Sequence, residues 1–173
     1  MNVTNKCFIS IDGTDCPIDE PSQPVDPKWY SHKIDRVAVR YKVGIAINTG
    51  YIIWLNGPFP AGKYSNQTNV WSSLVHYLND NEYYIGDGGY WDGNQWIVMP
   101  KGRNSYKDRQ MLAIWSRHKS INMRIKEWNI LSKQFWHPLP KHSLAFCAVA
   151  NITQLGLQTD SPVFQVHYDE SEF

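Results

Sequence analysis

Residues 6–15 read Lys-Cys-Phe-Ile-Ser-Ile-Asp-Gly-Thr-Asp. From 6 to 11 the stretch alternates and is rich in Phe and Ile, the pattern of a strand, and Asp12-Gly13 is a turn dipeptide. The expectation is a short strand with Asp12 at its C-terminal end. A proline-rich extended loop follows (Pro17, Pro21, Pro24, Pro27). Two β-rich runs, 37–47 and 51–55, are then joined by Asn48-Thr49-Gly50, the signature of a hairpin with a glycine-containing turn.

Further along, Val70, Leu74, Tyr77 and Leu78 recur at helical spacing behind Thr68, which predicts a helix over 69–79. A strand at 83–85 stops at Gly86-Asp87-Gly88-Gly89, and 95–99 is a candidate further strand before Pro100. From Asp108 the pattern is helical for a long way. Ile114, Ile121, Ile125, Trp128 and Phe135 fall within about 80° of arc on a helical wheel, and Pro138 ends the run. A last helix over 142–158 is expected to turn Leu144, Ala148, Ile152 and Leu155 inward. The sum is an α/β fold: a mixed sheet, three antiparallel strands and then parallel ones, with helices packed on it. If the crossover through 69–79 makes 83–85 parallel to the first strand, Asp12 and Asp87 end at the same sheet edge, where sites in such sheets form.

Composition agrees with one compact domain: 173 residues, 42% hydrophobic and 19% charged. The three cysteines, Cys7, Cys16 and Cys147, are odd in number and far apart, which argues against a disulfide framework and for a reducing, intracellular setting. The longest apolar stretch, 144–150, is far short of the roughly 20 residues a membrane span needs. There is no basic-then-apolar leader at the N-terminus, so no membrane partner is expected. Glycosylation-type triplets at Asn2, Asn66 and Asn151 then read as chance matches. The 24 aromatic residues are placed mostly in the core rather than on a stacking surface. The net charge of +1 hides a segment, 101–133, that carries +7 and leaves −6 elsewhere. Such segregation marks a phosphate-facing surface or a solvated helix face, and charge alone does not choose between them.

Asp12 and Asp87 each sit next to glycine, where backbone approaches a ligand closely. Gathered carboxylates suit Mg²⁺, and two such ions about 4 Å apart serve phosphodiester chemistry. The plain alternative is that Asp-Gly is an ordinary turn. His137, His142 and Cys147 match no common zinc spacing. No serine nucleophile elbow or phosphate-binding glycine loop is present.

The chain resembles the DDE superfamily of transposase endonucleases, specifically the PIF/Harbinger-like group. The likeness rests on SIDGTDCPIDEP at 10–21, KWYSHK at 28–33, YKVGIAINTGYIIWLNGPFP at 41–60, IGDGGY at 85–90, SRHKSINMRIKEW at 116–128 and FCAVANITQL at 146–155. It implies an RNase H-like fold over 1–173 and metal-dependent DNA strand cleavage and transfer. By it Asp12 and Asp87 are the first two acidic ligands of Mg²⁺ or Mn²⁺, and in a eukaryotic cell the location is nuclear. The group pattern is Arg-His-Glu, six intervening residues and then a lysine. Here Arg117-His118-Lys119 precedes Lys126, so the frame is kept and the third acidic position is basic.

Glu127 lies eight residues beyond Lys119, about 12 Å along a helix and roughly 80° around it, and is a poor substitute. The implied partner is DNA, held weakly and without sequence preference through 101–133. No N-terminal DNA-binding region is expected, so a separate subunit would supply it. The expectation is therefore a catalytically impaired transposase-derived domain. The alternatives are an active nuclease completed by Asp15 or Glu127, a non-catalytic DNA- or protein-binding module, and, least favoured, an aromatic carbohydrate-binding module.

Overall fold

β1 (Lys6–Pro17) is the spine of a six-stranded mixed sheet. The structure is a computed structural model that describes residues 6–21, 24, 26–62, 73–87, 96–102 and 105–166. On one side β1 pairs antiparallel with β3 (Arg36–Ala46), which also carries β2 (Tyr30–Ser31) and β4 (Ile52–Pro60), both antiparallel. On the other side it pairs parallel with β5 (Glu82–Ile85), and β5 pairs parallel with β6 (Ile97–Val98). The expected mixture of antiparallel and parallel strands is thus present, with α1 (Tyr106–Lys126), α2 (Asn129–Ser132) and α3 (Leu139–Thr159) packed on it.

The first strand does not end at Asp12. β3 pairs with it without interruption from Ile9↔Ala46 to Pro17↔Ala38, so Asp12 faces Val43 and Gly13 faces Lys42 within the ladder. Ladder hydrogen bonds over nine residues override the turn preference of an Asp-Gly dipeptide. Alternation then sends Ser10, Asp12 and Cys16 toward the helices and Ile9 and Ile11 to the other face. A bulge between Cys7 and Ile9 brings Cys7 back to the helix side, beside Met111 and Ile114.

The 48–50 hairpin turn forms as expected. Gly50 has φ +73°, and a Cβ there would lie 2.2 Å from Val163 Cγ2, so both backbone and space call for glycine.

Three helical expectations need correction. Over 73–79 there is only a 3-10 turn, Val75–Tyr77, because Leu78 is extended and Asn79 is tied to Glu82 at the entry to β5. Residues 69–72 of that expected helix, and Gly88, Gly89 and Gln95 of the neighbouring motifs, lie outside the described residues.

The long helix from 108 breaks after Glu127. Beyond Ser132 the backbone pairs instead with the end of β1, Phe135 N donating to Pro17 O and Phe135 O accepting from Asp19 N. Phe135 is buried there, while Trp128 is 43% exposed.

On α3 the inward face is His142, Phe146, Val149, Ala150, Thr153 and Leu157. Leu144, Ala148, Ile152 and Leu155, expected inside, are exposed. The helix is apolar on both sides, so periodicity could not tell its faces apart.

Two buried histidines make stability depend on pH. His142 Nδ1 sits 2.8 Å from Tyr41 Oη, and His118 Nε2 sits 3.1 Å from Ser10 Oγ. Burial pushes His142 down to about 4 and His118 down to about 3. The unfolded chain therefore binds protons between pH 6.5 and those values that the folded chain does not, and stability falls as pH falls through this window. Each histidine contributes up to about 1.4 kcal/mol per pH unit. Urea unfolding at pH 7.5, 6 and 5 should show this loss, and His142→Phe should flatten part of it. A stability that is level from pH 7.5 to 5 would contradict the assignment.

Candidate metal and nucleic-acid site

β5 is short and β1 is long, so β1 continues past the point where its parallel partner ends. The pairing closes at Ser10↔Ile85. Asp87 lies two residues past that last pair, in the loop that leaves β5, and close enough to Asp12 to act on it. Their charges interact, and Asp87 helps to raise the Asp12 carboxyl. Gly86 N donates to Val98 O, holding the start of this loop against β6.

Asp12 is half-buried and its two oxygens are both engaged. Oδ1 accepts from Gly13 N at 2.7 Å, and Oδ2 accepts from Asn122 Nδ2 of α1 at 3.2 Å. Desolvation by burial raises its pKa, and Asp87 adds to the rise. Lys33, the Gly13 amide and Lys42 oppose it. Lys33 Nζ donates to Gly13 O at 2.9 Å. Lys42, opposite Gly13 on β3, has no exposed surface. Burial lowers it to about 7, with Arg40 adding to the fall, against the pull of Asp12, Asp15 and Asp87.

α1 delivers Asn122 because its buried residues dictate its rotation. Ile114, Ile121 and Ile125 go into the core, and His118 meets Ser10 one turn before Asn122 meets Asp12. Lys119 is three residues before Asn122, on the same edge of the helix, with its side chain exposed. Glu127 is the exposed C-cap of α1. It lies five residues past Asn122, about 140° around the helix.

Asp15 is fully buried and fully used. Arg40 Nε and Nη2 reach its two oxygens at 2.6 and 2.7 Å, and Ser31 Oγ donates at 2.5 Å. Burial would raise this carboxyl, but the bonds from Arg40 and Ser31 and the charges of Arg40 and Lys33 outweigh it and hold it below the ordinary range. Alternation along the uninterrupted ladder puts Asp15 on the face of β1 opposite Asp12, so the two do not converge on one ion. His142 points into the core while Cys147 is exposed on the same helix, so those two do not converge on a zinc ion.

The donor set does not fit a DDE-type metal pair. Two carboxylates interact, but the group on α1 that touches Asp12 is a neutral amide donating a hydrogen bond, and Lys33 and Lys42 already bring positive charge to Asp12. Among the described residues no three His, Cys, Asp or Glu side chains are grouped to hold an ion.

Sequence reasoning named Asp12, Asp87, Lys119 and Glu127 and missed Asn122, Lys33 and Lys42. Lys42 had a signal: a lone lysine inside the apolar run Tyr41–Ile45 is not a residue that ordinary strands bury.

The basic segment is more dispersed than its +7 suggests. Arg117 is buried, bonding Ile47 O and Phe164 O, and Arg124 bonds Ser161 O. Lys101, Arg109, Lys119 and Lys133 are exposed, and Arg103 lies outside the described residues. No helix among the described residues is long and apolar enough to cross a membrane. Compared with protein-family models and with curated proteins, the sequence matches none.

Proposed function

We propose that this chain is a transposase-derived domain of the DDE type, PIF/Harbinger-like, with an RNase H-like fold. Its ancestral chemistry is divalent-metal-dependent DNA cleavage and strand transfer, and its own catalysis is impaired. The observation that supports the reading best is that Asp87, two residues past the end of β5, interacts with Asp12 on the neighbouring parallel strand β1, with α1 laid across Asp12. Lys119 stands on α1 where the resemblance calls for glutamate, and Asn122 takes the contact with Asp12. The affinity for Mg²⁺ or Mn²⁺ is then weak or lost, while a DNA-binding surface is retained.

The test uses supercoiled plasmid and a fluorescent duplex. With Mg²⁺ or Mn²⁺ the unmodified chain should not nick plasmid. It should bind duplex of any sequence weakly. If Lys101, Arg109, Lys119 and Lys133, the exposed cations among the described residues of 101–133, engage phosphates, affinity should fall roughly a hundredfold between 50 and 200 mM salt, from a slope of about −0.9 per contact. Metal-dependent nicking abolished by Asp12→Asn or Asp87→Asn would replace this reading with an active nuclease. Duplex affinity indifferent to salt would mean that the basic residues are merely solvated.

A further inference from the structure

The segment 163–166 passes beside α1 and leaves a groove of about 500 Å³ between them. Tyr106, Arg109, Gln110 and Ala113 of α1 line it, with Phe164 and Gln165 on the other wall, among others. Tyr106 is 58% exposed and Phe164 49%, so two aromatic rings line an open surface rather than the core. The volume is within the range of small-ligand sites, about 300 to 1,000 Å³.

Both walls are fixed. Residues 106, 109, 110 and 113 share one face of α1 by helical spacing, and one turn further along that face stands Arg117, which is buried. Arg117 Nε donates to Phe164 O at 3.1 Å, Nη1 donates to Ile47 O, and the guanidinium lies over the Phe164 ring, 5.8 Å from its centroid. On either side of Phe164, Val163 is buried against the Gly50 turn and Val166 packs with Met111 and Ile114.

The charges select the ligand. No carboxylate lines the groove, and its one charged lining residue is Arg109, which is exposed. Asp108 falls on the far side of the helix, about 200° around from Tyr106, where it accepts from Lys101 N. Buried cations are ordinarily paired with an acid. Arg117 instead bonds two backbone carbonyls, and its Nη2 has no partner among the described residues. An anion at the groove thus meets positive charge from Arg109 at the rim and from Arg117 beneath Phe164, and no negative lining residue.

A ligand with a flat π-face and a phosphate answers both features. Aromatic rings stack on bases, Arg109 suits the phosphate, and the amides of Gln110 and Gln165 present donors and acceptors to a base edge. Within a duplex the base faces are covered by their neighbours, so only an unstacked nucleotide can offer one.

We propose that the groove between α1 and residues 164–166 binds single-stranded DNA, stacking unpaired bases on Tyr106 and Phe164 with an adjoining phosphate on Arg109. This rests on the DNA-binding reading above and adds to it a preference for unpaired over paired strands.

Fluorescence anisotropy of the whole chain tests this with a fluorescein-labelled single strand of about 12 nucleotides and the blunt duplex of the same sequence, at equal salt. The single strand should bind roughly tenfold more tightly. Tyr106→Ala and Phe164→Ala should each weaken it about tenfold, as loss of one aromatic–base stack does, while duplex affinity stays within about twofold and shows that the variants are folded. Phe164→Trp should restore single-strand binding. Arg109→Gln should weaken both forms, since both carry phosphate. A single strand bound no better than duplex overturns the proposal and leaves the DNA reading standing, whereas binding of neither form fails both. Aromatic variants that alter both forms equally, or neither, also overturn it. So does single-strand binding that emerges only when residues 167–173 are removed, which would make the chain's own end the occupant.

Discussion

Arg40→Met should destabilise the fold by about 3–5 kcal/mol, the cost of leaving one member of a buried ion pair unpartnered. Asp15 has no exposed surface and depends on Arg40 for a contact to each oxygen. Methionine keeps most of the aliphatic stem, so the loss isolates the charge. Ser31 Oγ would remain as a donor, and one hydrogen bond to a charged group is worth only about 1.5–3 kcal/mol, less than the desolvation cost of the isolated carboxylate. At about 2–4 °C per kcal/mol for a domain of this size, the melting temperature should drop by roughly 10 °C.

Asp15→Leu combined with Arg40→Met should be less harmful than Arg40→Met alone, because the buried charge leaves with its partner. Urea titrations with unchanged m-values would separate a stability change from a change in the unfolded state. A loss under 1 kcal/mol for Arg40→Met would show that the pair does not hold β1 to β3 as described.

What could be read from the sequence was what local patterns determine. The hairpin at 48–50, the strand at 83–85 and the helix through Ile114, Ile121 and Ile125 follow from period and turn chemistry, and the structure has all three. Asp12-Gly13 was misread as a turn because whether a dipeptide turns or continues depends on the partner strand, which lies some thirty residues away. The break after Glu127 was hidden for the same reason, since it is fixed by a backbone pairing of Phe135 with Pro17 and Asp19. α3 was assigned the wrong face because both are apolar. At the site, the two aspartates were legible from their glycine-flanked positions. Asn122 was not, because its role comes from how the buried isoleucines rotate α1, and Lys119, in the motif that drew attention, is exposed.

Asn122→Asp should convert the site into one that binds a divalent cation. The amide now donates to Asp12 Oδ2 at 3.2 Å. A carboxylate there would put a third acid in contact with Asp12, which already feels Asp87. Without metal the added charge repels Asp12, raises its pKa further and lowers stability. With metal the repulsion becomes ligation, so Mn²⁺ affinity should rise at least tenfold, about 1.4 kcal/mol. The melting temperature should then climb with Mn²⁺ concentration, as it must when only the folded state binds.

Lys119→Glu should act in the same direction. Its position is one turn from Asn122 on the same helix edge, with Cβ atoms about 5–6 Å apart, within reach of a glutamate. Asp12→Asn in either background should abolish the gain. Variants that bind Mn²⁺ no better than the unmodified chain would mean that α1 does not present this edge to Asp12.

Calorimetric titration of the unmodified chain with Mn²⁺, beside Lys119→Glu, tests the central claim of a DDE-type site without a complete acidic set. The account predicts no saturable heat below the millimolar range for the unmodified chain and a saturable, Asp12-dependent heat for Lys119→Glu. Micromolar Mn²⁺ binding by the unmodified chain, lost in Asp12→Asn or Asp87→Asn, would contradict it.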